Sequence, residues 1–312
     1  MADGINKGII TQIKVLDKGF VRLDDMMQAE IKAVNAARVS FSSKSDYLSE
    51  DKYEEFCQDY YELTDNEYDL KYPHEKYGEE YRDYFKNTNK DICLKPKDFK
   101  LLKYLIKEKH HSPLRHSYMT FHVKVPIAIN AQWIKHQVGC NYSGDGWNQI
   151  SHRYIDGTKD KTKFEFYFPD GFRKQSTDNR QASLDETIDP ILNDIEWGEY
   201  NELSRDIDED GKVIPYLVKG LDVFQTLTYE AFRLYESLVS EGVAKEQARM
   251  ILPQNVYTEF YWTCSLQAVL NFLSLRKHSG AQYEIRKYAE AIEQLLEPHF
   301  PASIYLWQKY GG

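Results

Sequence analysis

The chain has 312 residues, 42% of them hydrophobic, and sets 49 acidic side chains against 40 basic ones for a formal net charge of -9. That balance argues against non-specific nucleic-acid binding, which needs a basic face, and no apolar run approaches the roughly 20 residues of a membrane helix. The length predicts a single domain over residues 1–312, and shifts in composition mark two insertions, at about 43–97 and about 171–215.

The opening MADGINKGIITQ lacks the basic start, apolar block and small-residue cleavage site of a signal peptide. Cys57, Cys93, Cys140 and Cys264 form no CxxC pair, so free thiols in a reducing cytoplasm are expected. Lys14 to Leu23 reads as a strand and turn. Asp24 then looks like the N-cap of a helix in which Met27, Ile31 and Val34 recur at helical spacing, ending near Arg38. From Ser42 to about Lys97 the composition turns to Asp, Glu, Lys and Tyr, which predicts a partly helical surface excursion.

Phe99 to Lys109 is amphipathic and gives way to HHSPLRH, where Pro113 breaks the helix. Tyr118 to Val125 alternates as a strand, and Pro126 suits the first turn of the helix PIAINAQWIKH. Lys163 to Phe168 predicts another strand. Asp222 to Ser240 predicts a long helix, with Phe224, Leu227, Ala231, Leu234 and Leu238 at three- and four-residue steps. A short helix ending QARMILP, the alternating segment YTEFYWTCS and helices around SLQAVLNFLSLRKH and QYEIRKYAEAIEQLL follow.

The stretch Gln132 to Tyr154 gathers Lys135 and His136 at a helix end, a glycine-bearing loop, and Ser151, His152 and Arg153. Cations, hydroxyls and backbone donors at a helix terminus and Gly turn suit a phosphate-bearing ligand. The loop SGDG is neither a Walker motif nor a dinucleotide fingerprint, and Ser151 has no GxSxG elbow. Five of the nine histidines lie between His110 and His136, without an HxxxH pair or a Cys or carboxylate at ligand spacing, so no metal site is expected. His122, within a strand, reads as a packed or hydrogen-bonded residue, and His110 and His111 as nearer a ligand. Cys140 reads as a loop thiol and not a nucleophile. Arg249 and Arg276 sit in apolar segments, where a guanidinium needs partners for five donors. With Arg153 they point to an anion site.

These residues carry a resemblance. VLDKGFVRLDDMM, AARVSF, LLKYLIKEKHHSPLRHSYMTFHVKVPIAINAQWIKHQ, NQISHRY, EFYFP and most of GVAKEQARMILPQNVYTEFYWTCSLQAVLNFLSLRKHSGAQYEIRKYA resemble the flavin-dependent thymidylate synthases. The resemblance implies an α/β fold, a mixed sheet with flanking helices, in a homotetramer with active sites shared between subunits. It implies FAD as cofactor, methylenetetrahydrofolate and NADPH as co-substrates, and conversion of dUMP to dTMP without a cysteine nucleophile. By matching positions, Gln132, Lys135, Gln149, Ser151, His152, Arg153 and Arg249 would hold the nucleotide, largely through its phosphate, and Arg276 would face the pyrimidine and favour its ionised form. His110, Ser112, Lys135, His136, Gln137, Gln149, Ser265 and Asn271 would line the flavin.

The chain departs from the family pattern mostly on the flavin side. Lys135, His136 and Gln137 stand where the signature begins Arg-His-Arg, and the loop to Ser151 is longer. A family Glu is Gln149, an Asn is Ser265, an Arg is Gln267 and a His is Gly280. Losing a charge-assisted phosphate contact commonly costs about 1.5 to 3 kcal/mol. The asymmetry raises a second expectation, a hydroxymethylase acting on dUMP or dCMP with methylenetetrahydrofolate and water. A third is a nucleotide-binding or assembly protein whose chemistry has decayed.

Overall fold

The computed structural model describes residues 11–27, 30–39, 43–64, 78–136, 146–151, 153–154, 164–180, 182–193 and 217–311. Five strands form the central sheet, in the order β1 (Gln12–Val15), β2 (Gly19–Met27), β3 (Tyr118–Pro126), β9 (Tyr257–Ser265) and β4 (Trp147–Gln149). An α/β fold with flanking helices is what the sequence predicts. Every pairing within this sheet is antiparallel, however, so the sheet is not mixed.

Asp24 does not cap a helix. β2 continues through it to Met27, because Met26 and Met27 pair with Met119 and Tyr118 of β3 beyond a register shift at Leu23/Asp25. Ladder hydrogen bonds to a neighbouring strand override the local helical spacing. Helix α1 (Ile31–Ala37) starts later.

The stretch 43–97 is partly helical, as expected, with α2 (Glu50–Thr64) and α3 (Glu79–Lys86). It is not merely a surface excursion. Leu48, Tyr81, Tyr84, Phe85 and Leu94 are buried in the main core together with Phe99 of α4 (Pro96–Lys107). The Tyr84 and Phe99 rings stack with centroids 4.8 Å apart. Tyr81 Oη donates to the Leu94 carbonyl at 2.7 Å, and Tyr84 Oη accepts the Leu94 N–H at 2.8 Å. Each phenol thus buries a ring and satisfies a backbone group that water no longer reaches.

The second stretch begins as a hairpin of β5 (Phe172–Gln175) and β6 (Ser183–Ile188), followed by β7 (Ile191–Asn193) paired with β8 (Leu217–Lys219). The strand predicted at 163–168 is only a single bridge, Phe166 to Val256. Its aromatics pack on helix α6 (Gly220–Ser240), Phe164 against Phe232 and Tyr235, where they build a second small core. The segment QARMILP forms α7 (Lys245–Ala248) and a 3-10 turn, Arg249–Ile251.

The main core centres on Trp133, whose ring meets Phe260, Trp262, Phe272 and Tyr288 at centroid distances of 4.6 to 5.8 Å. These come from helix α5 (Ile127–Trp133), β9, α8 (Leu266–Arg276) and α9 (Tyr283–Leu296). Pro126 precedes α5 as its N-cap and as the last residue of β3, one position earlier than expected.

A final helix, α10 (Pro301–Tyr310), is capped from far away in sequence. The fully buried Glu30 carboxyl group accepts the N–H groups of Ala302 at 3.2 Å and Ser303 at 3.0 Å. Burial pushes its pKa from 4.5 up to about 8, although the two N–H groups oppose that shift. The folded chain therefore holds the Glu30 proton more tightly than the unfolded chain does. The stability this confers is complete below pH 4.5 and is lost as pH rises through about 8. Unfolding free energies from denaturant titrations across that window should decline by about 1 to 4 kcal/mol. Glu30→Gln should flatten it, and an unchanged slope in the variant would remove the assignment.

Candidate active site

Both central strands run directly into helices that carry predicted site residues. At the end of β3, α5 is pinned by two of its first N–H groups. Ile127 donates to the Val256 carbonyl at 2.9 Å and Ala128 to that of Gln254 at 3.1 Å. At the end of β9, Ser265 caps α8, its buried Oγ accepting the Ala268 N–H at 3.2 Å. With its Oγ so engaged, Ser265 anchors the helix at the position where a flavin contact is expected.

The far ends of these two helices meet. Arg276, the last residue of α8, donates from Nε to Nε2 of His136 at 3.0 Å. His136 is buried, its Nδ1 bonds the Trp133 carbonyl at 3.0 Å, and its ring lies edge-on to Phe272 at 5.0 Å. A carbonyl only accepts and a guanidinium only donates. The imidazole must therefore be neutral, with its proton on Nδ1 and its lone pair facing Arg276. Burial first, and the adjacent Arg276 charge as a further cause, lower the His136 pKa below its ordinary 6.5. A neutral partner fixes the guanidinium without cancelling its charge. Among the described residues no carboxylate pairs with Arg276, which is half-buried at the favourable C-terminal end of α8.

The other residues expected on the nucleotide side each have partners of their own. Gln132 Nε2 donates to Gln282 Oε1 at 2.5 Å. Gln149, on β4, accepts from Asn130 Nδ2 and donates to Thr258 Oγ1, both at 3.1 Å, so its amide is tied into the sheet. Ser151 Oγ accepts from the backbone N and the Nε of Arg153, each at 3.4 Å, and Arg153 is exposed with its guanidinium 5.6 Å from the Tyr154 ring. Lys135 is exposed. Gly146 immediately precedes β4. A Cβ there would lie 2.1 Å from the Thr263 carbonyl oxygen, which only glycine avoids. Gln137, Cys140 and His152 lie outside the described residues. Arg249 is half-buried in its 3-10 turn, and no described hydrogen bond, ion pair or ring contact joins it to Arg153 or Arg276.

On the flavin side, the 3-10 turn Ser112–His116 packs on α8. His110 and Ser112 are exposed, and Asn271 is half-buried one helical turn after Gln267. Sequence reasoning missed Arg115. Its Nε donates to the buried Gln267 Oε1 at 2.6 Å, which places a guanidinium beside the position where the resemblance expects one. The signal was HHSPLRH itself, four cationic or titratable side chains without a carboxylate. His122, expected to be packed or hydrogen-bonded, bonds Glu259 at 2.9 Å and stacks on Tyr261. A cavity of about 510 Å³ elsewhere, beside Lys14, Tyr167, Arg173 and Tyr283, contains none of the predicted site residues.

Residues 22–302 match the family described as thymidylate synthase complementing protein. The flavin-dependent thymidylate synthase of Thermosipho africanus is 30% identical over 299 residues, covering 96% of this chain and 95% of that one. That of Thermus thermophilus is 31% identical over 289 residues, covering 93% and 75%. Among solved structures, a UMP/dUMP methylase, PolB from Streptomyces cacaoi bound with 5-Br dUMP, superposes with a TM-score of 0.55 at 24% identity, covering 96% of this chain and 98% of that one. The last likeness concerns the fold, whereas the match over nearly the whole sequence settles the family: the chain belongs to the flavin-dependent thymidylate synthases, a family of methyltransferases.

Proposed function

We propose that this protein methylates dUMP to dTMP, taking the one-carbon unit from methylenetetrahydrofolate and, through FAD, a hydride from NADPH. Per turnover, dUMP, methylenetetrahydrofolate, NADPH and a proton yield dTMP, tetrahydrofolate and NADP⁺. The observation that carries the proposal is the Arg276 guanidinium held by a neutral imidazole. Aimed at a uracil ring, a fixed and uncancelled positive charge favours the anionic pyrimidine and so raises the nucleophilicity of its C5 carbon. Because His136 touches Arg276 and takes no part in a proton relay, it is a positioning residue.

Arg153, Ser151, Gln132 and Arg249 hold the nucleotide phosphate in this reading. A homotetramer with active sites shared between subunits belongs to the same reading. FAD fits the donors on the other side of α8: Ser112 and His110 are open, Asn271 lies alongside, and Arg115 supplies the cation that Gln267 lacks. Bound there, FAD supplies the hydride that reduces the transferred carbon. Arg115 speaks for a retained flavin and so for methylation over hydroxymethylation. It does so against the charge lost at Gln267.

Four outcomes are expected. Product analysis with dUMP and methylenetetrahydrofolate should give a methylated nucleotide only when NADPH is present; a hydroxymethyl product without NADPH would overturn the reading. Arg276→Ala should lower turnover by about a hundredfold or more with an unchanged melting temperature. In the wild-type protein, activity should fall on the acid side, at a pH below the ordinary imidazole value because burial lowers the His136 pKa, as His136 protonates against Arg276, a limb that His136→Asn should lack. Arg115→Ala should weaken FAD binding about tenfold to a hundredfold in an absorbance titration of the apoprotein, with Arg115→Lys recovering part of it; equal affinities would exclude Arg115 from the flavin site.

A further inference from the structure

The segment from Arg276 to Gln282 connects α8 to α9 and is tied to the end of α5 at both of its ends. Arg276 bonds His136, and Gln282, the N-cap of α9, bonds Gln132. A third element reaches the same connector. In the hairpin of β5 and β6, the Arg173 guanidinium stands 3.6 Å from the centre of the Tyr283 ring, one residue past Gln282. Its own hairpin holds it there. Arg173 Nη1 donates to the Leu184 carbonyl at 3.2 Å and to Asp185 at 3.0 Å, and Asp185 also accepts from Arg286 of α9 at 3.3 Å. A guanidinium fixed in this way attracts an aromatic face with little further loss of freedom. The hairpin is itself anchored. At its base the Phe172 ring lies 5.8 Å from that of Phe224 on α6, and at its tip Gln175 Nε2 donates to the carbonyls of Asn179 and Arg180 at 3.2 Å and of Ala182 at 2.9 Å. That tip meets the connector at Gly280, where a Cβ would stand 3.3 Å from Asn179 Nδ2.

We propose that Arg173 is a positioning residue for the nucleotide pocket: by gripping Tyr283 it fixes Gln282, and through Gln282 the amide of Gln132. The inference rests on the reading that Gln132 holds the nucleotide. Its physical reason is the weakness of the last link. Gln282 is exposed and Gln132 half-buried, so a hydrogen bond between them has to overcome the rotamer freedom of two long side chains. Holding the backbone at 282 and 283 from the hairpin removes part of that cost before a ligand arrives, and a site ordered in advance binds more tightly. The hairpin contacts the connector at two places, Tyr283 and Gly280, so it constrains the orientation of the segment as well as its position.

The test uses the full chain with and without dUMP. Arg173→Ala should raise the dUMP dissociation constant about threefold to tenfold in a calorimetric titration, while turnover at saturating dUMP stays within about twofold of wild type. Tyr283→Leu, which leaves the hairpin's own bonds intact, should act alike, and Arg173→Lys should recover part of the loss. Because Arg173 acts through Gln282, the double variant Arg173→Ala/Gln282→Ala should bind dUMP no more weakly than Gln282→Ala alone. Without ligand, Arg173→Ala should speed hydrogen exchange about threefold or more at the Gly280 and Ala281 amides, which bond His278. In a wild-type protein that binds dUMP, an unchanged affinity in Arg173→Ala, additive losses in the double variant or unchanged exchange would each overturn the proposal alone. Absence of dUMP binding by the wild-type protein would overturn the functional reading, and with it the role of Arg173 at the nucleotide pocket.

Discussion

The pairing of β3 with β9 is the constraint on which the remainder hangs. Nine consecutive partners, from Tyr118 with Ser265 to Pro126 with Tyr257, hold these strands at the centre of the sheet. Both are strongly buried on alternating positions, so a slip of one residue would turn the core face outward. Each strand continues without a loop into a helix, and because the strands are antiparallel those helices start at opposite ends of the sheet. α8 then runs back over about 16 Å, which brings Arg276 at its end to His136 just past the end of α5. Register in the sheet thereby sets the geometry of the site.

Within that frame, the charge balance explains how a chain of net charge -9 presents a cation. A guanidinium paired with a carboxylate is anchored but neutralised; one anchored by a neutral imidazole stays available to an anion. The tautomer is imposed from behind by the Trp133 carbonyl, and Trp133 is itself packed on all sides by aromatic rings. Core packing and site electrostatics are in this respect one structure. Arg115 follows the same logic on the far side of α8, where the amide of Gln267 orients it without removing its charge.

The acidic, tyrosine-rich stretch and the long helix α6 make a related point about surfaces. Tyr81 and Tyr84 place their rings in the core while their hydroxyls serve the Leu94 backbone, so a composition that reads as solvated supports a buried layer. In α6 the regular apolar spacing marks the packed face only at its ends, where Phe224 meets Phe168 and Phe172 and Leu238 meets the second core; at its middle the aromatics of residues 164–168 select Thr228, Phe232 and Tyr235 instead of Leu227 and Leu234. Periodicity reports that a face is apolar. It does not report which partner covers it.

The amino-acid sequence by itself determined the alternating strands at Tyr118–Val125 and YTEFYWTCS and the helices that follow them, because these depend on local periodicity. It also carried the family resemblance, since motif residues keep their order along the chain. Tertiary structure alone decided that Asp24 belongs to a strand, that Glu30 caps a helix at Ala302 and Ser303, and that His136 holds Arg276. Those outcomes join residues up to 273 positions apart, and no local pattern encodes a partner that only folding brings within hydrogen-bonding distance.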